Sequence, residues 1–203
     1  MNKLQTTQFY EDSVLTNDEQ YKKYTDAQIN RHGLKKDKNR GELYYKRFFD
    51  VLEEFLDKNK HYEMICYGTR NNQERNHWKH WFNMFKYDVN VKSLDIAPDS
   101  SADFILDFNK LPNDFENKWD IIFSNSIDHA PNATETFYNW TKTLKIDGIL
   151  VIFFCCGVGT AFAADCSVFD GATIKDFFGD VDGKNYIVLK SFLDSAYLIK
   201  RIS

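Results

Sequence analysis

Residues Tyr62 to Glu74 read YEMICYGTRNNQE. The apolar run Met64-Ile65-Cys66-Tyr67 is short enough for a buried strand; Gly68 ends it, and the polar Thr69-Arg70-Asn71-Asn72 follows. Beyond that, Trp78, Trp81, Phe82 and Phe85 fall at i, i+3, i+4 and i+7, the spacing of one helix face. Strand, glycine turn and helix in that order is how open α/β sheets build ligand sites. The strand end exposes backbone, glycine permits close approach, and the helix N-terminus offers unpaired N–H groups. Read so, the stretch is the first strand and helix of such a sheet.

Working upstream, Tyr45, Phe48, Phe49, Leu52, Phe55 and Leu56 make one apolar face of a helix ending near Asp57. That helix packs on the sheet just before the first strand. Residues 1–40 are polar and irregular; Tyr21, Tyr24 and Ile29 suggest a short helix, and Arg31 to Arg40 reads as a hinge or loop. This divides the chain into an N-terminal extension or lid over 1–40 and a sheet domain over 41–203.

Downstream, Val89 to Ile96 is a second strand stopped by Pro98, and Ala102 to Phe108 a third. Trp119 to Ser124 is a fourth, apolar enough to be buried on both faces. Asn132 then starts a helix, with Glu135 completing a capping-box-like pair and Phe137, Trp140, Thr141 and Leu144 on its apolar face. Asp147-Gly148 turns the chain into a fifth strand, Ile149 to Phe154. Thr173 to Phe178 reads as a helix stopped by Gly179. Tyr186 to Phe192 and Ala196 to Ile202 form a hairpin that closes one edge. The pattern predicts an α/β fold of three layers, a doubly wound sheet, mostly parallel with one antiparallel strand from the C-terminal hairpin.

With 203 residues, 43% hydrophobic and 16% aromatic, the chain has the makings of one well-cored domain. A formal charge of -4 and a pI near 5.7 argue against a chain-wide electrostatic grip on nucleic acid. The basic residues of 31–40 and around Lys79 read as solvated faces. Cys66, Cys155, Cys156 and Cys166 show no C-x-x-C spacing, and three lie in or beside apolar runs, so reduced structural thiols are favoured over a metal site. The first residues, MNKLQTTQFYEDS, lack the apolar core of a signal peptide, which makes a cytoplasmic protein the simplest case. Gly148 to Ala164 carries no charge, but Gly157 and Gly159 interrupt it, so a buried strand running into a loop is preferred to a membrane span.

In a sheet of this kind the ligand binds beyond the carboxyl ends of the strands. The residues there are Gly68 to Asn72, Asp95-Ile96, Asp107-Phe108 and Ser124 to His129. Asp95 is placed to accept two hydrogen bonds from a ribose diol; its competing role is to cap its own turn before Pro98. Asp107 and Phe108 suit an adenine, as acceptor for the exocyclic amine and as a ring for the base face, with Ile96 covering the other face. A turn-forming Asp107 competes with that. Glu74, in the first helical turn, serves either the helix dipole or a ligand ammonium group. In Ser124-Asn125-Ser126-Ile127-Asp128-His129, His129 can take a proton near neutral pH and Asp128 can bind or orient a substrate; the plainer role of the loop is to cap the next helix.

The series CYGTRNNQE, SLDIAP, ADFILDFNKLP, WDIIFSNSIDHA and LKIDGILVIFF resembles class I S-adenosylmethionine-dependent methyltransferases. It is most similar to small type 11-like members with an Asn-Ser-Leu/Ile-Asp-His loop after the fourth strand, here Asn125 to His129. The likeness covers about Tyr62 to Phe178, and the terminal hairpin fits too. It implies a Rossmann-like fold with S-adenosylmethionine as cofactor. The methionine end would fall to Gly68, Thr69, Arg70, Asn71 and Glu74, the ribose to Asp95, and the adenine to Ile96, Asp107 and Phe108. Ser124 and Asn125 would border the cofactor, and Asp128 and His129 would be catalytic at the methyl-transfer site. The first loop departs from the family in having only Gly68 where three glycines are common, and Ile146-Asp147-Gly148 stands for Pro-Gly-Gly.

The leading functional expectation is methyl transfer to a small molecule, a sugar or a glycan precursor. The alternative is a non-catalytic cofactor-binding module that regulates or scaffolds a partner. Nucleic-acid methylation is disfavoured by the acidic balance. A nicotinamide dehydrogenase is disfavoured because the first loop lacks G-x-G-x-x-G.

Overall fold

In a computed structural model, which describes residues 17–35, 40–69, 71–154, 171–193 and 195–203, helices and strands alternate along the chain. Helices α1 (Asn17–Lys35) and α2 (Glu42–Glu53) lead into β1 (Tyr62–Tyr67), α3 (Gln73–Met84), β2 (Val89–Asp95) and the two-residue β3 (Phe104–Ile105). There follow β4 (Trp119–Ser124), α4 (Ala133–Thr143), β5 (Leu144–Phe153), α5 (Gly171–Val181), β6 (Tyr186–Phe192) and β7 (Ala196–Arg201). They form a 7-stranded sheet in the order β3-β2-β1-β4-β5-β7-β6. Neighbours from β3 to β5 pair in parallel, while β7 runs antiparallel to both β5 and β6, so one strand opposes the rest. The predicted three-layer, mostly parallel sheet is the observed one. The winding reverses between β1 and β4, which opens a crevice at their carboxyl ends.

Alternation along the strands decides which helix covers which face, because successive side chains of a strand point to opposite sides. Met64, Cys66, Ile121, Phe123 and Val151 pack with Phe48, Phe49, Trp78 and Phe82 of α2 and α3. Ile65, Tyr67, Ile122, Leu150 and Ile152 pack with Phe137 and Trp140 of α4 and Phe177 of α5. The burial of β4 on both faces is complete over all six residues. Cys66 is buried in β1, and burial, first among its influences, pushes the thiol pKa well up, as suits an inert core residue. Cys155, Cys156 and Cys166 lie outside the described residues. No helix among the described residues is long and apolar enough to cross a membrane.

Local differences from the sequence expectation have identifiable causes. The third strand shrinks from Ala102–Phe108 to two residues. Asp103 spends its carboxylate on the Ser93 N–H at 2.9 Å and the Ser93 hydroxyl at 2.8 Å, and Asp107 folds back on the Asn109 N–H at 2.9 Å. Asp147-Gly148 lies within β5 as an irregularity, with Asp147 at φ 66, rather than as a turn ahead of it. Gly179 sits inside α5; the left-handed glycine that ends the segment is Gly183, at φ 74. Helix α1 runs on to Lys35, through the first half of the stretch read as hinge. The start of α4 matches its reading: Asn132 accepts the Glu135 N–H at 3.1 Å.

At the end of the sheet away from the crevice, Asp120 ties β1, β4 and β5 together. Only 5% exposed, it pairs with Lys60 at 2.9 Å and Lys145 at 2.7 Å and accepts the Glu63 N–H at 2.9 Å. Burial alone would raise its pKa; the Lys145 ammonium, the Glu63 N–H and Lys60 outweigh burial and hold the carboxyl below its ordinary range. A folded pKa below the unfolded one gives stability that is complete above about pH 4 and fades as pH falls through the folded value. Asp120→Asn should therefore cost about 2 kcal/mol at pH 7. Urea unfolding of both proteins should find that gap narrowed at about pH 3; an unchanged gap would mean the charge is not what Asp120 contributes.

Candidate functional site

Beyond the carboxyl ends of β1 and β4, the two following loops are locked to each other. Gly68 leaves β1 at φ 75, a left-handed conformation that L side chains resist, and its N–H donates to the Leu94 carbonyl at 2.8 Å. A Cβ on Gly68 would lie 2.6 Å from the Ser126 Oγ and 2.8 Å from the Ser126 Cβ, with Phe108 next at 3.6 Å. The close approach for which glycine was expected is thus filled by Ser126. That hydroxyl donates to the Gly68 carbonyl at 3.4 Å, and the Ser124 hydroxyl donates to the Tyr67 carbonyl at 3.1 Å. Gly68, Phe108 and the start of the 124–129 loop, far apart in sequence, meet at the switch point.

The remainder of the first loop is buried polar structure. Thr69 is inaccessible and donates its N–H to the Leu94 carbonyl at 3.2 Å, while its hydroxyl has no hydrogen-bond partner among the described residues. Asn72, at φ 61 and 4% exposed, anchors the loop to Ser101 through its side-chain amide, and its Oδ1 is likewise a buried acceptor without a described partner. Asn71 reaches back to the Gln73 N–H at 3.4 Å. Arg70 lies outside the described residues. The loop therefore sets two buried polar atoms, the Thr69 hydroxyl and Asn72 Oδ1, close to the strand-end crevice.

Asp95 ends β2, nearly buried, and its Oδ1 accepts the Ala97 N–H at 2.9 Å. That is the turn-capping arrangement. Ile96 is partly buried beside it. Asp107 has both oxygens engaged: Oδ1 accepts from the Asn109 backbone N–H at 2.9 Å and side-chain amide at 2.7 Å, and Oδ2 accepts the Tyr21 hydroxyl. Phe108 is buried edge-on to Trp140, whose indole N–H donates to the Phe108 carbonyl at 3.0 Å.

On the other flank, Glu74 in the first turn of α3 accepts the Tyr45 hydroxyl at 3.1 Å. Burial first, then the Glu74 charge, raises the Tyr45 pKa far out of the physiological range, so this donor keeps its proton. Tyr45 stacks on His77 at 4.8 Å, and burial lowers the His77 pKa, favouring the neutral ring. After β4, Asn125 is buried, and Asp128 and His129 occupy a 3₁₀ turn with only 6% and 9% exposure. His129 Nε2 stands 3.9 Å from Asp128 Oδ1, beyond hydrogen-bond reach, so the two do not form a relay.

Two participants escaped sequence reading. Tyr45 looked like one more member of an apolar helix face, and Asn109 like nothing in particular. An Asn two residues after a strand-end Asp is the one signal that points to Asn109.

No protein-family model and no curated protein sequence matches the chain. Solved structures do. The fold matches Burkholderia thailandensis 1,6-didemethyltoxoflavin-N1-methyltransferase, which holds 1,6-didemethyltoxoflavin and S-adenosylhomocysteine, with TM-score 0.63 and 13% identity over 94% of this chain and 92% of that one. It matches the CurJ carbon methyltransferase with TM-score 0.56 and 14% identity over 80% of this chain and 54% of that one. It also matches the [4+2]-cyclase SpnF, with TM-score 0.53 and 12% identity over 71% and 57%. The chain spans between 48% and 61% of three of the structures it matches. Its fold is that of the class I S-adenosylmethionine-dependent methyltransferases.

The locked loops make Gly68→Ala a two-part lesion. The left-handed backbone costs ~1–2 kcal/mol and the collision with Ser126 a further ~1–3 kcal/mol. Chemical denaturation should find about 3 kcal/mol lost in total, with the collision part recovered when Ser126→Gly is added. If the double variant recovers nothing, Ser126 is not what presses on Gly68.

Proposed function

We propose that the chain is an S-adenosylmethionine-dependent methyltransferase acting on a small-molecule, sugar or glycan-type acceptor. One observation carries the reading: the Gly68 turn, Asp95 and the 124–129 loop converge at the switch point of a fold whose solved members include methyltransferases. The orphaned Thr69 hydroxyl and Asn72 Oδ1 support a polar ligand in the first loop. The cofactor would supply the electrophilic methyl group together with its own leaving group. The chain's own task is to bind, align and exclude water. Asp95 offers a charged acceptor for a ribose diol. Phe108 and Ile96 flank the base, and Glu74, held by Tyr45, faces the ammonium group. Thr69, Arg70, Asn71, Ser124 and Asn125 complete the cofactor contacts, and Asp128 and His129 meet the acceptor as separate groups. A cytoplasmic setting, in which Cys66 stays a thiol, belongs to the same reading.

A second reading has its own support. The 3.9 Å gap between His129 and Asp128 and the presence of a cyclase on the same fold favour a cofactor-binding protein that transfers no methyl group.

Titration calorimetry with S-adenosylmethionine and S-adenosylhomocysteine separates these readings from a fold without a ligand. Asp95→Asn keeps an oxygen for the Ala97 N–H but removes the charge. It should weaken binding by about tenfold with the melting temperature unchanged. Equal binding by the variant would remove Asp95 from the site. Binding without transfer to any member of a broad acceptor panel would favour the second reading, and no heat with either ligand would end both.

A further inference from the structure

Helix α1 is fastened to the loop that follows β3, at the adenine end of the site described above. The Tyr21 hydroxyl donates to Asp107 Oδ2, and the Lys110 ammonium lies over the Tyr21 ring, 3.2 Å from its centre. Tyr24, 1% exposed, accepts the second amide hydrogen of Asn109 at 2.8 Å, and Asn109 Oδ1 accepts the Thr136 hydroxyl of α4 at 2.7 Å. Burial along the helix is slight: of the described α1 side chains, only Tyr24 and Gln28 are buried. A helix held by so little apolar burial opens at small free-energy cost.

Asp107 receives three donors from its own chain. Two come from Asn109, two residues away, and are local turn bonds; the third crosses from α1, 86 residues away in sequence. An exocyclic amine that needs this carboxylate displaces the cross-chain donor most readily, because the local bonds survive any movement of α1. Burial, and after it the hydrogen bond to Asp107, keeps the Tyr21 hydroxyl protonated at neutral pH, so the contact persists in the free protein.

We propose that α1 is a docked cap, latched by Tyr21 on Asp107, and that adenosyl-ligand binding and cap docking compete for that carboxylate. The proposal rests on the methyl-donor reading, and it makes α1 a lid that opens for cofactor entry. In the free protein the binding-competent state is then the minor one, and apparent affinity is reduced by its fraction.

The test pairs calorimetry with amide hydrogen exchange, using the full chain and S-adenosylhomocysteine as probe. Tyr21→Phe keeps the ring under Lys110 and removes only the hydroxyl, so circular dichroism and melting should match the unmodified protein. It should bind S-adenosylhomocysteine about fivefold to tenfold more tightly. In the unmodified protein, the ligand should speed amide exchange over α1. Weaker or equal binding by Tyr21→Phe, or α1 amides slowed by the ligand, would overturn the cap and leave cofactor binding intact. No heat with either protein would instead remove the methyl-donor reading, and the cap with it.

Discussion

The crevice depends on one steric constraint: the turn after β1 must pass within contact of the turn after β4. Parallel strands that are direct neighbours deliver both loops to the same place, and a side chain at position 68 would put its Cβ 2.8 Å from the Cβ of Ser126. Glycine removes that collision and also supplies the left-handed φ with which the chain leaves the strand. Once the turns touch, the hydroxyls of Ser124 and Ser126 reach the backbone carbonyls of Tyr67 and Gly68, and Thr69 is forced out of water. The polar lining of the site is therefore a consequence of packing, not an addition to it.

The two ends of the sheet are stabilised by different physics. Away from the crevice, charge does the work: Asp120 with Lys60 and Lys145 binds the starts of β1, β4 and β5 into one register. At the crevice, hydroxyls and amides hold the loops, and Asp95, Asp107, Glu74 and Asp128 are among its described carboxylates. Behind them stands a rigid aromatic support. Phe123 of β4 is met edge-on by Tyr45 and Phe48 and at a tilt by Trp78, so α2 and α3 cannot shift without disturbing the strand that leads into the 124–129 loop.

Periodicity carried most of the fold. Every strand and α-helix described over 42–201 was legible, because burying one helix stripe against a sheet buried on both faces leaves a strong pattern. What failed were ends and exceptions, where one hydrogen bond outweighs periodicity. Asp103 and Asp107 cut β3 short, Asp147 bends β5 from within, and α5 runs through Gly179 because nothing presses on that position. In the site, the strand-end residues were legible by topology alone. Their partners were not. Tyr21, Tyr45 and Ser126 act across 86, 29 and 58 residues of chain, and no local pattern encodes a contact at such separation.

The same fold carries an N-methyltransferase, a carbon methyltransferase and a cyclase, so the fold cannot be what selects the reaction. Selection must lie in side chains that differ at equivalent strand ends, and in this chain they are unusually self-engaged. Asp95 caps its own turn, Asp107 bonds Asn109 and Tyr21, and Glu74 gives its Oε1 to the Tyr45 hydroxyl. A carboxylate already bonded within the protein contributes to ligand affinity only the difference between its new and its old partners. Strong binding then requires that the old partners be cheap to lose. A hydroxyl on a sparsely buried helix meets that condition, whereas one from Tyr45, packed beneath α3 at 1% exposure, does not. By that criterion the Tyr21 contact on Asp107 is the adjustable one, and the Tyr45 contact on Glu74 Oε1 the fixed one.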